Sequence, residues 1–349
     1  MKIERYEPVE IIVCKSMGIV YSNQWTVSSN TKFSNPWLLN TGYCYTILMK
    51  EWFDGWKEKS NAFIFDYGKV SFVLFLIFIN VVAIGLIIFL ISPQKLRVSF
   101  LDVGQGDAIF IQTPSGKNML VDGGPSNIIL SRLASETNYF NHNVDVMVAT
   151  HPDADHVTGL IPILEKYNVK NIITSPVEGS TKIFDDLSAH IKNESADLYI
   201  AHTGDVIDFH DGVIAKILYP SANYVVKKND TNDASVSIVV SYGDESFLLT
   251  GDLPSNREPE LIANGLHKNV TVYKAGHHGS KTSSGEQLLT YIKPEYAIIS
   301  AGKNNKYGHP NIETIERLKK YAKEIISTID RGSISFVTDG RMMEVEMGR

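Results

Sequence analysis

The segment from Val70 to Gln94, VSFVLFLIFINVVAIGLIIFLISPQ, contains no charged residue. As a helix it is long enough to cross a hydrocarbon core of about 30 Å. The alternative is a buried core helix, but no polar face recurs at helical spacing and Asn80 is the only strongly polar side chain mid-run. A cleaved signal peptide fits worse, because the run begins far from Met1 and is too long for an h-region. The sequence therefore predicts one transmembrane helix over residues 70–93, contacting membrane lipid, between an N-terminal region (1–69) and a larger domain (95–349). Lys57, Lys59 and Lys69 precede the span, against Lys95 and Arg97 just after it. By the positive-inside rule this tilts the N-terminus inside and the C-terminal domain outside.

Residues 1–69 mix Trp25, Trp37, Trp52 and Trp56 with short apolar runs and show no sustained period of 2 or 3.6. A small packed or interfacial structure is expected there, without an assignable function. The two cysteines, Cys14 and Cys44, both precede the span. Any metal in the later domain must therefore be held by histidine and carboxylate. A net charge of −6 argues against a generally basic nucleic-acid binder, although a local basic patch is compatible with it.

After Pro93 the pattern becomes regular. Strand-like runs at Leu96 to Val103, Ala108 to Thr113 and Asn118 to Val121 are separated by Gly-rich turns and read as an antiparallel meander. A helix around Ile128 to Ser135, a strand at Val144 to Ala149 and a helix from about Val157 to Tyr167 follow. Further strands are expected at Asn171 to Thr174, Val213 to Tyr219, Ser235 to Tyr242, Ser246 to Thr250, Thr271 to Tyr273, Tyr296 to Ser300 and Ser333 to Val337. Strands clustered between helices indicate an α+β domain with two sheets face to face, covered by helices.

Thr150-His151-Pro152-Asp153-Ala154-Asp155-His156 lies just after a strand and just before a helix. Four potential ligands, His151, Asp153, Asp155 and His156, thus sit where the chain can turn them toward one point. Divalent cations take carboxylate oxygen and neutral imidazole nitrogen, and neither group gains from such crowding without a metal. Two later segments have the same placement: Thr250-Gly251-Asp252, and Gly276-His277-His278-Gly279-Ser280. An Asp after Gly at a strand end is ordinarily a turn residue. Three such clusters at strand ends are better explained by a shared metal site at the sheet edge.

Together these residues resemble the metallo-β-lactamase superfamily, and more closely the hydrolase domain of the ComEC family of competence proteins, over roughly Lys95 to Val345. The resemblance rests on Phe100 to Ala108 (FLDVGQGDA), Val121-Asp122-Gly123-Gly124, HPDADH, Asn232-Asp233-Ala234-Ser235, TGD ending at Asp252, GHHGS from Gly276, and Tyr307-Gly308-His309-Pro310. It implies an αββα sandwich following a membrane helix. It also implies two divalent ions, Mn or Zn: His151 and Asp153 on one, Asp155 and His156 on the other, Asp252 bridging, and His277 or His278 completing the second site. Asp122 would orient the metal-binding loop without touching metal. Two departures stand out. Asp153 replaces a usual histidine, and where the superfamily supplies a further histidine before the bridging aspartate this chain offers only Asn232, Asp233 and Ser235. Both make the first site oxygen-rich and shift its metal preference.

Two metals side by side activate water and stabilise the oxygens of an in-line displacement at phosphorus, so phosphodiester hydrolysis is the natural reaction. The expected catalytic side chains are Asp155, His309 and Lys281. His309 would contact substrate or protonate the leaving oxygen; a turn histidine packed on Pro310 is the plain alternative. Lys281, Lys303 and Lys306 flank the same loops and can neutralise phosphates. The leading expectation is a membrane-tethered nuclease acting on incoming DNA outside the cell, with a competence channel protein as possible partner. A hydrolase of a small ester, lactone, thioester or phosphodiester and an inactive tethered binding module remain the alternatives. With one span in place of a polytopic channel region, the chain is expected to be either a fragment of a competence protein or a stand-alone relative.

Overall fold

The computed structural model describes residues 67–91, 95–137, 142–225 and 231–348, so the expectations for residues 1–66 lie outside the described residues. The chain divides into two compact units, Met1–Leu90 and Ile91–Arg349. The helix Tyr67–Ile91 contains a window, Val70–Ile87, long and apolar enough to cross a membrane, and none of that window is buried. Asn80 Nδ2 donates to the Leu76 carbonyl at 2.8 Å, which satisfies this polar group within the helix itself.

Among the described residues the second unit holds fifteen strands: β1 (Leu96–Phe100), β2 (Ile109–Gln112), β3 (Asn118–Val121), β4 (Asn143–Ala149), β5 (Asn168–Thr174), β6 (Asp197–Ile200), β7 (Val206–Asp208), β8 (Val213–Tyr219), β9 (Ser237–Tyr242), β10 (Glu245–Leu249), β11 (Val272–Lys274), β12 (Tyr296–Ile299), β13 (Glu324–Ser327), β14 (Ile334–Thr338) and β15 (Met343–Met347). One sheet runs β15-β14-β1-β2-β3-β4-β5-β6 and the other β13-β12-β11-β10-β9-β8-β7. The meander β1 to β3 is antiparallel as the sequence indicates, and β3 to β6 pair in parallel. The second sheet repeats that division: β7 to β10 are antiparallel and β10 to β13 parallel.

Alternate residues of each inner strand face opposite layers, and both faces are buried, which is why the strands read as nearly continuous apolar runs. Leu96, Val98 and Phe100 of β1 meet Ile217, Val240 and Phe247 of the other sheet in the central core. On the outer face of the first sheet, Phe110 and Met147 pack under Leu133, Leu160 and Leu187 of the helices. On the second, Leu248 and Tyr273 pack under Leu261, Leu289 and Leu318. The result is the four-layer αββα sandwich.

The helix expected from Val157 to Tyr167 is instead two, Ala154–Val157 and Leu160–Lys166, broken at Gly159. The cause is the loop after β3. The Gly123 N–H donates to the His156 carbonyl at 2.7 Å, and the Gly159 N–H donates to the Gly124 carbonyl at 2.9 Å. A Cβ on Gly159 would lie 1.9 Å from the Gly123 oxygen. These two turns hold Asp122 against the HPDADH segment at backbone contact distance. Gly159→Ala is expected to force them apart and destabilise the domain by about 1–3 kcal/mol, the usual range for overpacking. Urea unfolding of the detergent-solubilised chain in chelator measures this, and an unchanged midpoint would refute the close-contact argument.

Candidate metal centre

Every side chain of the expected site leaves the carboxyl end of a parallel strand: Asp122 after β3, the HPDADH segment after β4, Asp252 after β10, and His277 and His278 after β11. Parallel strands direct their carboxyl-end loops to one edge, where open sheets ordinarily bind ligands. At this edge the Val236 N–H donates to the Thr150 carbonyl of the other sheet at 2.9 Å, and within the second sheet the Asp252 N–H donates to Ser235 Oγ at 3.2 Å.

Three imidazoles have Nδ1 committed to protein acceptors. Thr150 Oγ1 donates to Asp122 Oδ2 at 2.7 Å and so accepts from His151 Nδ1 at 2.9 Å. His156 Nδ1 donates to Asp122 Oδ2 at 2.8 Å, and His278 Nδ1 to the Ser300 carbonyl at 3.0 Å. A proton on Nδ1 leaves a lone pair on each Nε2, and these converge. His156 Nε2 and His278 Nε2 are 3.3 Å apart. Asp252 Oδ1 is 3.4 Å from His156 Nε2, and Asp252 Oδ2 is 3.5 Å from His278 Nε2 and 3.9 Å from His151 Nε2. Asp155 Oδ2 lies 3.4 Å from His278 Nε2, and Asp153 Oδ2 4.0 Å from His151 Nε2.

This donor set fits divalent cations. His151 Nε2 and Asp252 Oδ1 are buried and find no hydrogen-bond partner among the described residues, a costly state for an imidazole lone pair and a carboxylate unless a cation completes them. Asp107, His156, Asp252 and His278, all buried, present ligand atoms within 4.8 Å of one another. The two adjacent histidines differ in place. His278 has a side chain 1% exposed at the centre of the cluster, whereas His277, 29% exposed, meets only the rim of it, 3.6 Å from Asp252 Oδ2. Both adopt left-handed backbone, φ 50° and 54°. Such a conformation costs a non-glycine residue about 1–3 kcal/mol and clusters at functional sites.

In the bare protein the cluster compensates its charges with protons. Burial alone would drive His278 down, but the carboxylates of Asp252 and Asp107 prevail and raise it to about 9. His156 is likewise raised well above its ordinary value against burial, by Asp252 and Asp122. Burial opposes ionisation of Asp155 too, yet its bond to His278 and the charge of His156 hold it at about 2. A binding cation therefore displaces imidazole protons.

Beside Asp155 opens a cleft of about 500 Å³, lined in part by Gln105, Ile183, Asn305, Lys306 and Tyr307. Asn305 braces its far wall, accepting from the Tyr307 and His309 N–H groups. His309 stacks on Tyr307 and meets His277 edge-on, with ring centroids 5.9 and 5.5 Å apart. Burial, then the nearby His277 and His278, lower its pKa, so it is neutral at pH 7. Lys306 thus faces the cleft. Lys281 and Lys303 are exposed and lie outside its lining.

A model of the metallo-beta-lactamase superfamily matches residues 101–215 and 228–303. The chain belongs to the metallo-β-lactamase superfamily. Its curated relatives include ComEC-family competence proteins. It is 27% identical over 257 residues to ComE operon protein 3 of Bacillus subtilis, covering 69% of this chain and 33% of that protein. It is 31% identical over 264 residues to Recombination protein 2 of Haemophilus influenzae, covering 74% of this chain and 31% of that protein. The chain thus spans about a third of the length of the curated relatives it matches. Among solved structures, the metallo-beta-lactamase fold protein YhfI from Bacillus subtilis aligns at 9% identity with a TM-score of 0.47, covering 70% of this chain and all of that one.

Within the superfamily site, two residues escape a sequence reading. Asp107 belongs to the FLDVGQGDA motif but reads as a turn residue, and Lys274 reads as the polar exit of a strand. Both are buried, and Lys274 Nζ lies 2.6 Å from Asp107 Oδ2, joining the two sheets beneath the cluster. Burial would raise the Asp107 carboxyl, but Lys274, then His278, hold it well below the carboxylate range. Lys274→Met is expected to destabilise the chain by about 3–5 kcal/mol, because it strands a buried carboxylate. Adding Asp107→Asn should recover more than half of that loss. Chemical unfolding in chelator measures both, and a double variant no more stable than the single one would show that the pair is not the cause.

Proposed function

We propose that the chain is a membrane-tethered, metal-dependent phosphodiesterase that cleaves DNA. The observation that carries this reading is the convergence of three imidazole Nε2 atoms on the Asp252 carboxylate, at the mouth of a cleft that presents Lys306 and Tyr307. In this reading His151 and Asp153 hold one cation, Asp155, His156 and His278 hold the other, and Asp252 is shared. Divalent cations held there supply Lewis-acid polarisation of a phosphoryl oxygen and activation of water. The chain's own groups do the rest. Lys306 neutralises the phosphate entering the cleft, and Lys281 and Lys303 can meet phosphates further along a strand. His309, neutral at pH 7, donates an N–H hydrogen bond to the leaving oxygen.

Relatives named for competence and recombination support DNA as the substrate. The buried His151 Nε2 and Asp252 Oδ1, without a hydrogen-bond partner among the described residues, argue against a decayed binding module. Membrane attachment through residues 70–93, a channel partner and an outer location of the hydrolase domain belong to the same proposal.

Asp252→Ala should reduce cleavage to the level of the chelator-treated parent while the far-UV spectrum stays unchanged, since that carboxylate serves cations and not the core. The full chain in detergent is assayed on single-stranded DNA, duplex DNA and a small phosphodiester. Because Asp153 makes the first site hard, Mn²⁺ at saturation should support faster cleavage than Zn²⁺. Full activity of Asp252→Ala would sink the shared-carboxylate reading, and a parent active with zinc but idle with manganese would sink the reading of Asp153. Protease added to intact cells should remove the hydrolase domain; complete protection in cells with an accessible surface would reverse the orientation.

A further inference from the structure

The stretch before β9 carries three oxygen-bearing side chains, Asn232, Asp233 and Ser235, and the structure commits two of them elsewhere. Asp233 is buried and paired with Arg257, whose Nε and Nη2 lie 2.8 and 2.7 Å from its two carboxylate oxygens, while Tyr224 donates to it at 3.1 Å. Ser235 Oγ accepts from the Asp252 N–H at 3.2 Å. Asn232 is left. Its Oδ1 is buried and has no hydrogen-bond partner among the described residues. Leaving a buried amide oxygen unmatched costs about 1–3 kcal/mol, so its retention calls for a partner that the described residues do not supply.

Its chain neighbours tie the segment to the expected cation set. Thr231 Oγ1 donates to Asp153 Oδ1 at 2.5 Å, which leaves Asp153 Oδ2 on the side of His151. A short 3-10 turn, Asn232–Ala234, follows, and Ser235 and Val236 are then bonded to Asp252 and Thr150. The turn is therefore tied at one end to a carboxylate of the first cation's expected set and at the other to the loop of the shared carboxylate. We infer that Asn232 Oδ1 is a ligand of the first cation. This rests on the two-cation reading given above. A neutral amide oxygen suits a hard cation and adds no charge to a pocket already holding Asp153 and Asp252.

The test is metal binding, independent of activity. The full chain in detergent, stripped with chelator, is titrated calorimetrically with Mn²⁺, and bound manganese is counted by elemental analysis after gel filtration. The parent should bind two ions. Asn232→Ala and Asn232→Leu should each keep one and bind the other at least about tenfold more weakly, the effect seen even for groups supporting a ligand. Asn232→Asp, nearly isosteric, should keep both with equal or tighter affinity. Melting curves in chelator should superimpose for Asn232→Asp and the parent, which guards against a folding defect. Two ions at parental affinity in the Ala and Leu variants would overturn the assignment alone, leaving a bridging water or substrate as the partner of Oδ1. Loss of an ion from Asn232→Asp would also overturn it. A parent that binds one ion or none overturns the two-cation reading, and Asn232 with it.

Discussion

The Asp122 carboxylate, 1% exposed at the end of β3, accepts from the Thr150 N–H and Thr150 Oγ1 and from His156 Nδ1. An ionised carboxylate so far from water is tolerable only when donors of this number and geometry surround it. Satisfying it has consequences in two directions. It sets the proton on His156 at Nδ1 and, through Thr150, the proton on His151 at Nδ1, so both rings turn their Nε2 lone pairs to the same point. It also demands that the loop after β3 meet the HPDADH segment with no side chain between them, which the glycines at 123, 124 and 159 permit. Asp122 itself pays with a left-handed backbone, φ 59°.

Much of the fold is legible in the sequence, and what is missed has one physical cause. The runs found by apolar pattern correspond to the inner strands, whose two buried faces demand apolar residues. The strands without a sequence signal are β6, β7, β13 and β15, which form the outer edges of the two sheets. An edge strand has one neighbour and partial cover, so its residues alternate weakly or carry charge: β15 reads MEVEM, with Glu344 and Glu346 paired to Lys95 and Arg97. Charges of this kind also discourage pairing with a second chain. The helix expected through residues 157–167 begins only at Leu160, for a different reason. Periodicity cannot register that another backbone occupies the space where a side chain at 159 would go.

The centre divides in a similar way. HPDADH, Asp252 and the paired histidines were legible because each concentrates ligand types at the end of an apolar strand. Asp107 and Lys274 were not, because the partnership spans the two sheets and each residue alone resembles ordinary surface punctuation. The choice among Asn232, Asp233 and Ser235 was equally closed to sequence, since it turns on Arg257, a residue of a different loop that claims the most acidic of the three.

The Asp107–Lys274 pair bears on how the centre keeps its charges in order. Asp107 Oδ2 is spent on Lys274, and Oδ1 lies 3.3 Å from His278 Nδ1, which already donates to the Ser300 carbonyl. Whichever acceptor takes that proton, it stays on Nδ1 and Nε2 remains available to a cation. The lysine offsets part of the charge that a lone carboxylate would add, so Asp107 orients the ring while raising its proton affinity less than an unpaired carboxylate would. An extra uncompensated carboxylate at this depth would instead favour the imidazolium, and the proton would compete harder with any incoming metal. A buried lysine beneath a cation site, unfavourable at first sight, thus limits the proton competition that an incoming metal must overcome at His278.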